Sequence, residues 1–337
     1  MPAAPPDLTF TDRSKLAHTS GVDLAIPAAL NAALLVGSVA VACGCLWLAS
    51  HATRWPGQRL GGWPLAIAAA IVFSYVANTI FSLMHEAVHG SLNPSRRLNE
   101  IGGRIASAFF PTAFALQRVF HEAHHRNNRS DLERFDYYAP HENRLLKTAQ
   151  WYSILTGLYW LAPPTFALVY MLIGPFVDWN RLFSPGSRFA RQTSAAPFLD
   201  SLCRVSPRQA QIDAAFSLAV QAALMWALDL SLAGWLLCYA FFGVSWSSLQ
   251  YADHAFSTLD REEGAWNLRF NPVARLMFLN YNLHLNHHRS PGTPWIHLPR
   301  LTRPDDPAIS FWGNYLRMWR GPRPLPAEAP SAEGARA

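Results

Sequence analysis

The stretch IPAALNAALLVGSVAVACGCLWLAS, Ile26 to Ser50, runs for 25 residues without a charged side chain. An α-helix needs about 20 apolar residues to cross the hydrocarbon core of a bilayer, so this segment predicts a membrane span. A second uncharged run of 24 residues, Gly61 to Met84, predicts another. Composition agrees, because 50% of the 337 residues are hydrophobic and only 15% are charged. Farther along, Trp151–Val177, Ala210–Leu228 and Leu232–Leu249 are also apolar, and the last two are separated only by Asp229, Leu230 and Ser231. That pair predicts a helical hairpin.

Basic residues test the topology, since they accumulate on the cytoplasmic side. Of 28 lysines and arginines, only Arg54 and Arg59 fall between the first two runs, and none falls in the turn at 229–231. The polar segments outside these two turns therefore share the cytoplasmic face. Segments on one face are joined by an even number of crossings, so one of the last three apolar runs does not cross. Pro163 and Pro164 mark Trp151–Val177 as the surface-lying or re-entrant one, because proline removes a backbone donor and breaks a helix. Between Leu98 and Phe120, Leu98, Ile101, Ile105, Phe109 and Phe110 recur at helical spacing and predict a helix lying in the membrane surface. The expected fold is all-α: an integral membrane helical bundle of about four transmembrane helices, with in-plane amphipathic helices and a cytosolic histidine-rich cap. Its expected divisions are an N-terminal cytosolic segment (1–25), a membrane domain (26–320) and a disordered tail (321–337) rich in Pro, Ala and Glu.

The N-terminus carries Asp7, Asp12 and Asp23 and lacks a basic start followed by an apolar stretch, so no cleaved signal peptide is expected. Cys43, Cys45, Cys203 and Cys238 show no Cys-x-x-Cys spacing, and no disulfide framework is expected. A net charge of +6 comes without any nucleic-acid-binding motif, which leaves lipid headgroups or an acidic partner as its counterpart.

The polar segments concentrate histidine. HEAVH (His85–His89), HEAHH (His121–His125) and HLNHH (His284–His288) place imidazoles three or four residues apart, on one face of a helix. Eight rings can therefore converge at the membrane surface. Four ligands normally satisfy one zinc ion, so eight suggest two metals; imidazole alone does not choose among iron, copper, zinc and nickel. His254 is a candidate ninth ligand, whereas His18, His51, His141 and His297 stand alone. Metal-bound histidine gives its other nitrogen to a carboxylate or carbonyl. Glu86, Glu122, Asp131, Glu133, Asp136 and Asp253 are near enough in sequence, and Asp131, Asp136 and Asp253 are the preferred partners.

The three clusters resemble, in order and rough separation, the histidine boxes of the membrane fatty acid desaturase family. HLNHHRSPGTPWIHLPRL (His284–Leu301) is similar to that family's third box and the segment after it. The resemblance covers His85 to Leu301. It implies a non-haem di-iron centre held by His85, His89, His121, His124, His125, His284, His287 and His288, with His254 as the extra ligand and Gln250 holding a nearby water. It also implies dioxygen as co-substrate, a fatty acid, acyl-lipid or acyl-thioester substrate, and no catalytic residue beyond the ligands. Hydrogen removal from an unactivated methylene lies beyond side-chain acids and bases, so the cofactor must supply it. Phe73, Tyr75, Phe81 and Trp246 are candidates for the wall of an acyl tunnel. The sequence contains neither a dinucleotide-binding glycine motif nor a haem-binding His-Pro-Gly-Gly, so electrons are expected from a separate ferredoxin, rubredoxin or cytochrome. Arg96, Arg97, Arg126, Arg129 and Arg134 offer a patch for such a donor or for lipid headgroups. The expected setting is a bacterial inner membrane.

Related hydroxylases and decarboxylases share the boxes. A metal transporter would keep its site near the bilayer midplane, and a zinc hydrolase would need only three or four of the histidines.

Overall fold

Two antiparallel helical hairpins frame the computed structural model, which describes residues 24–55, 61–131, 133–177 and 204–326. The first pairs α1 (Ala28–Ala52) with α2 (Trp63–Val88). Two further helices, numbered α3 and α4 below, follow these. The second joins α7 (Pro207–Ala227) to α8 (Leu232–Ala252) through a short turn, with α8 packed on α1 and α2 and α7 packed on the helix Arg96–Phe109. The turns of both hairpins meet at one end of the bundle: Arg54 Nη1 donates to Asp229 Oδ2 at 2.5 Å, and the Thr53 and Ser231 hydroxyls lie 3.0 Å apart. The opposite ends of α2 and α8 therefore project together, carrying His85, His89 and His254. Close approach of the hairpins depends on Gly234, where a Cβ would fall 2.5 Å from the Ser50 backbone.

Helices α1, α2 and α8 are long and apolar enough to cross a membrane. At 1.5 Å per residue, the 26 residues of α2 span about 39 Å against a hydrocarbon core of about 30 Å. The surplus carries His85 toward the interface. Helix α7 is less apolar and is not among the helices that meet this criterion. Its polar residues turn inward: Asp213 accepts from Arg104 and the Ala115 N–H, and Gln221 donates to the Ala108 carbonyl.

The proline-marked run is bent. Helix α5 (Arg144–Leu155) and the helical stretch Leu158–Ile173, which includes α6 (Ala162–Ile173), meet at 94°. Gly157 makes the corner at φ +85°, and a Cβ there would lie 2.7 Å from Val244 N on α8. Trp160, just beyond the corner, stacks on Tyr239 at 5.2 Å between centroids. Helix α6 then returns toward the start of α7, where Gln211 donates to the Met171 carbonyl at 2.9 Å. A bend of this size is the geometry of a broken span or a re-entrant pair.

The expected single helix from Leu98 to Phe120 is two. Helix α3 (Arg96–Phe109) exposes Leu98, Ile101 and Ile105 and buries Asn99, Gly102 and Ala106, the orientation of a helix lying in a membrane surface. Pro111 falls in the break, and α4 (Phe114–Asn127) starts afresh. Phe109 and Phe110 turn inward, with Phe110 against Phe81 and Trp246.

Short parallel ladders fasten the C-terminal part: β1 (Tyr137–Tyr138) with β4 (Arg323–Pro324), and β2 (Asn267–Arg269) with β3 (Ala308–Ser310). Cys43, Cys45 and Cys238 are free thiols. Cys203, His18, most of the N-terminal segment and basic linker, and the tail from 327 lie outside the described residues.

Candidate metal centre

Nine imidazoles gather at the open end of the two hairpins. His85 and His89 come from the end of α2, His121, His124 and His125 from the last two turns of α4, and His254 from just beyond α8. His284, His287 and His288 come from a short helix, α10 (His284–Arg289), which follows α9 (Pro272–Met277). Two sets of four are each able to hold a metal ion, with ligand nitrogens within 4.8 Å of one another: His85, His89, His121 and His287, and His124, His254, His284 and His288. His125 falls with the first set. Its Nε2 is 2.9 Å from His121 Nε2 and 3.0 Å from His287 Nε2. In the second set, Nε2 atoms of His124 and His288 stand 3.2 Å apart, and those of His284 and His288 3.3 Å.

These separations are those of donors sharing a cation: two ligands held about 2.1 Å from one ion, at tetrahedral to right angles, stand about 3.0–3.5 Å apart. Orientation supports the fit. His254 Nδ1 donates to the Gly264 carbonyl at 2.8 Å, and His124 Nδ1 lies 2.5 Å from Glu133 Oε1. Both rings therefore direct an Nε2 lone pair inward. His85 Nε2 and His254 Nε2 are buried without a hydrogen-bond partner, at positions where a metal would satisfy them.

Burial holds His121, His125, His254, His284, His287 and His288 well below the ordinary histidine pKa, and neighbouring imidazoles add to the effect. Neutral rings are the form that binds metal. His124 differs. Burial opposes its charge, but the Glu133 carboxylate raises its pKa. Burial in turn pushes the Glu133 carboxyl up.

Among the carboxylates, Glu133 is the one that meets a ring from behind. Asp131 is 61% exposed and pairs with Arg134, so it does not serve that role. Asp136 lies deeper: it receives two hydrogen bonds from Arg129, at 2.7 and 2.9 Å, and others from the Tyr251 hydroxyl and the Phe256 N–H. It braces the segment bearing His254 rather than a ring. Asp253 Oδ2 lies 3.6 Å from His284 Nε2. Gln250 receives the Tyr281 hydroxyl at 3.3 Å. Glu86 accepts from the Trp295 N–H. His51, His141 and His297 lie apart; His51 is at the far end, 3.9 Å from Asp229.

A cavity of about 270 Å³ adjoins both sets, through His121 on one side and His124 and His284 on the other. Phe81, Phe135, Ile154, Tyr159, Phe166 and Trp246 line the remainder, with Gln250 and Glu133 among its few polar groups. Of the four proposed tunnel residues, Phe81 and Trp246 line it. Phe73 packs against Tyr239 and Phe242 in the core, and Tyr75 is 40% exposed. The basic patch is smaller than expected: Arg129 and Arg134 are buried and paired with Asp136 and Asp131, whereas Arg96, Arg97 and Arg126 are exposed.

Fold and site together define a helical membrane protein with two histidine clusters able to hold metal beside an apolar chamber. Residues 61–320 match the fatty acid desaturase family, to which this chain belongs. It is 25% identical over 296 residues to the omega-3 fatty acid desaturase, endoplasmic reticulum, of Vigna radiata var. radiata, covering 81% of this chain and 68% of that protein. The protein is accordingly an oxidoreductase of fatty acyl metabolism.

Proposed function

We propose that the protein is a non-haem di-iron acyl desaturase that uses dioxygen and electrons from a separate ferredoxin, rubredoxin or cytochrome to remove two hydrogens from a fatty acyl chain. The observation that carries this reading is the convergence of nine imidazoles, in two sets, on one end of an apolar cavity. Iron bound there would supply the oxidising power through dioxygen reduction; the chain's own residues supply geometry and dryness. His85, His89, His121, His125 and His287 would hold one ion, and His124, His254, His284 and His288 the other. Glu133 fixes the His124 ring, and the Gly264 carbonyl fixes His254.

The aromatic wall excludes water and lets an acyl chain lie with one methylene beside His121, His124 and His284. Gln250 and Tyr281, joined by a hydrogen bond, also line that cavity. In this reading residues 26–320 act as one unit, with the histidine end at the cytoplasmic face of a bacterial inner membrane. Arg96, Arg97 and Arg126 face the donor or the lipid headgroups.

A hydroxylase or an oxidative decarboxylase would use the same centre with a different outcome, set by which carbon is placed there. A transporter fits poorly, since the ligands cluster at the bundle end rather than at its middle. The test is iron content measured together with lipid products. About two irons per chain and an unsaturated acyl product support the desaturase; a hydroxylated or shortened product moves the protein to the alternatives. One zinc and no oxidation would overturn the reading.

A further inference from the structure

The two sets of imidazoles are unequal. Five rings surround the first position once His125 is counted, and four surround the second. Asp253 stands next to two rings of the second set. Its Oδ2 lies 3.6 Å from His284 Nε2 and its Oδ1 3.9 Å from His254 Nε2, the inward-facing nitrogen of a ring whose Nδ1 is committed to Gly264. The residue is fully buried, and neither carboxylate oxygen has a hydrogen-bond partner on any other residue. An unpaired carboxylate in such a place is costly unless a cation meets it.

We infer that Asp253 is a direct ligand of the second metal, so that the centre is built from nine imidazoles and one carboxylate. The inference rests on the metal-centre reading above and assigns Asp253 a place inside the coordination sphere, whereas its sequence position suggests a partner lying behind a ring. Distances of 3.6 and 3.9 Å are those between donors set about 120–135° apart around one ion at about 2.1 Å. Charge points the same way. Nine neutral imidazoles leave the full charge of two divalent ions uncompensated in a buried site, and an anionic oxygen at the second position reduces it locally. The two ions then differ: one has only nitrogen donors, and the other has a hard oxygen donor as well.

The experiment uses full-length protein loaded with ⁵⁷Fe(II), comparing wild type with Asp253→Asn and Asp253→Glu. The expected wild-type Mössbauer spectrum has two ferrous doublets of equal area. In Asp253→Asn one doublet is lost or moved, and iron retained after dialysis against a chelator falls from about two per chain to about one. Asp253→Glu restores the second iron, and helical content by circular dichroism stays at the wild-type level. Two unchanged doublets in Asp253→Asn would overturn the assignment and leave the di-iron reading intact. Wild-type protein that takes up no iron would overturn both. Should Asp253→Asn fail to fold, the structure of the metal-loaded wild type decides: a carboxylate oxygen about 2.0–2.2 Å from the second metal supports the assignment, and one beyond about 3 Å overturns it.

Discussion

Glu133 Oε1 lies 2.5 Å from His124 Nδ1, on the side of the ring away from the second set of imidazoles. The contact fixes which nitrogen of His124 carries the proton and which carries the lone pair. Outer partners of this kind are worth about 10–100-fold in metal affinity or activity. Glu133→Gln should therefore weaken iron binding or turnover by about that factor, with the fold intact. Unchanged iron affinity and turnover in the variant would refute the role given to Glu133.

Removing a ring should be harsher. His124→Ala and His287→Ala each delete a nitrogen from a different set, and each is expected to abolish acyl oxidation while the protein still inserts into membranes. Lipid product analysis beside membrane fractionation checks this. Substantial oxidation by either variant would dismantle the proposed centre.

Cavity shape should set chain selection. Ile154 lies on the wall of the 270 Å³ cavity, so Ile154→Trp fills space that an acyl chain would use. The expected result is a shift of products toward shorter acyl chains, read by mass spectrometry. An unaltered chain-length profile would mean that the acyl group lies elsewhere.

Acid should destabilise the metal-stripped protein steeply. His121, His125, His254, His284, His287 and His288 have folded-state pKa values below the unfolded value of about 6.5. As pH falls through about 6.5 the unfolded chain takes up protons that the folded chain refuses, so stability is lost on the acid side. Six groups acting together would give a slope several times the roughly 1.4 kcal/mol per pH unit of one proton. Denaturation of chelator-treated protein in detergent, followed between pH 7.5 and 5, measures it. A slope no larger than that of a single proton would contradict the burial of these rings as neutral groups.

Arg129 and Asp136, both fully buried, form a two-bond ion pair that the Tyr251 hydroxyl also joins. Breaking such a pair from one side costs about 3–5 kcal/mol, because the remaining charge is stranded. Arg129→Ala should lower stability by that order and loosen the segment at 253–258, which Arg129 also holds through the Ser257 and Thr258 carbonyls. Thermal denaturation provides the comparison.

The helical frame and the clustering of the histidines were legible because each depends on a local regularity. Uncharged length marks α1, α2 and α8, and spacings of three and four residues mark the rings that share a helix face. The carboxylates were harder to place because α4 ends at Asn127 and the chain then leaves helical geometry, with Arg129 at φ 60°. Beyond that point spacing no longer says which way a side chain points, so Glu133, rather than Asp131, met His124. Pro111 was a visible signal for the break between α3 and α4, and the recurring apolar residues from Leu98 to Phe110 all lie before it. Arg129 and Arg134 looked like surface charges because sequence shows a residue's type and leaves its partner unseen. Asp213, which ties α7 to α3 and α4, had no local signature at all.

Each set of rings is shared between distant parts of the chain. The first set draws on residues 85–125 and on His287, and the second joins His124 to His254, His284 and His288. Neither set is complete until the ribosome has passed residue 288, by which time both hairpins have been made. Truncation anywhere before α10 would therefore leave both sets of imidazoles without their last members.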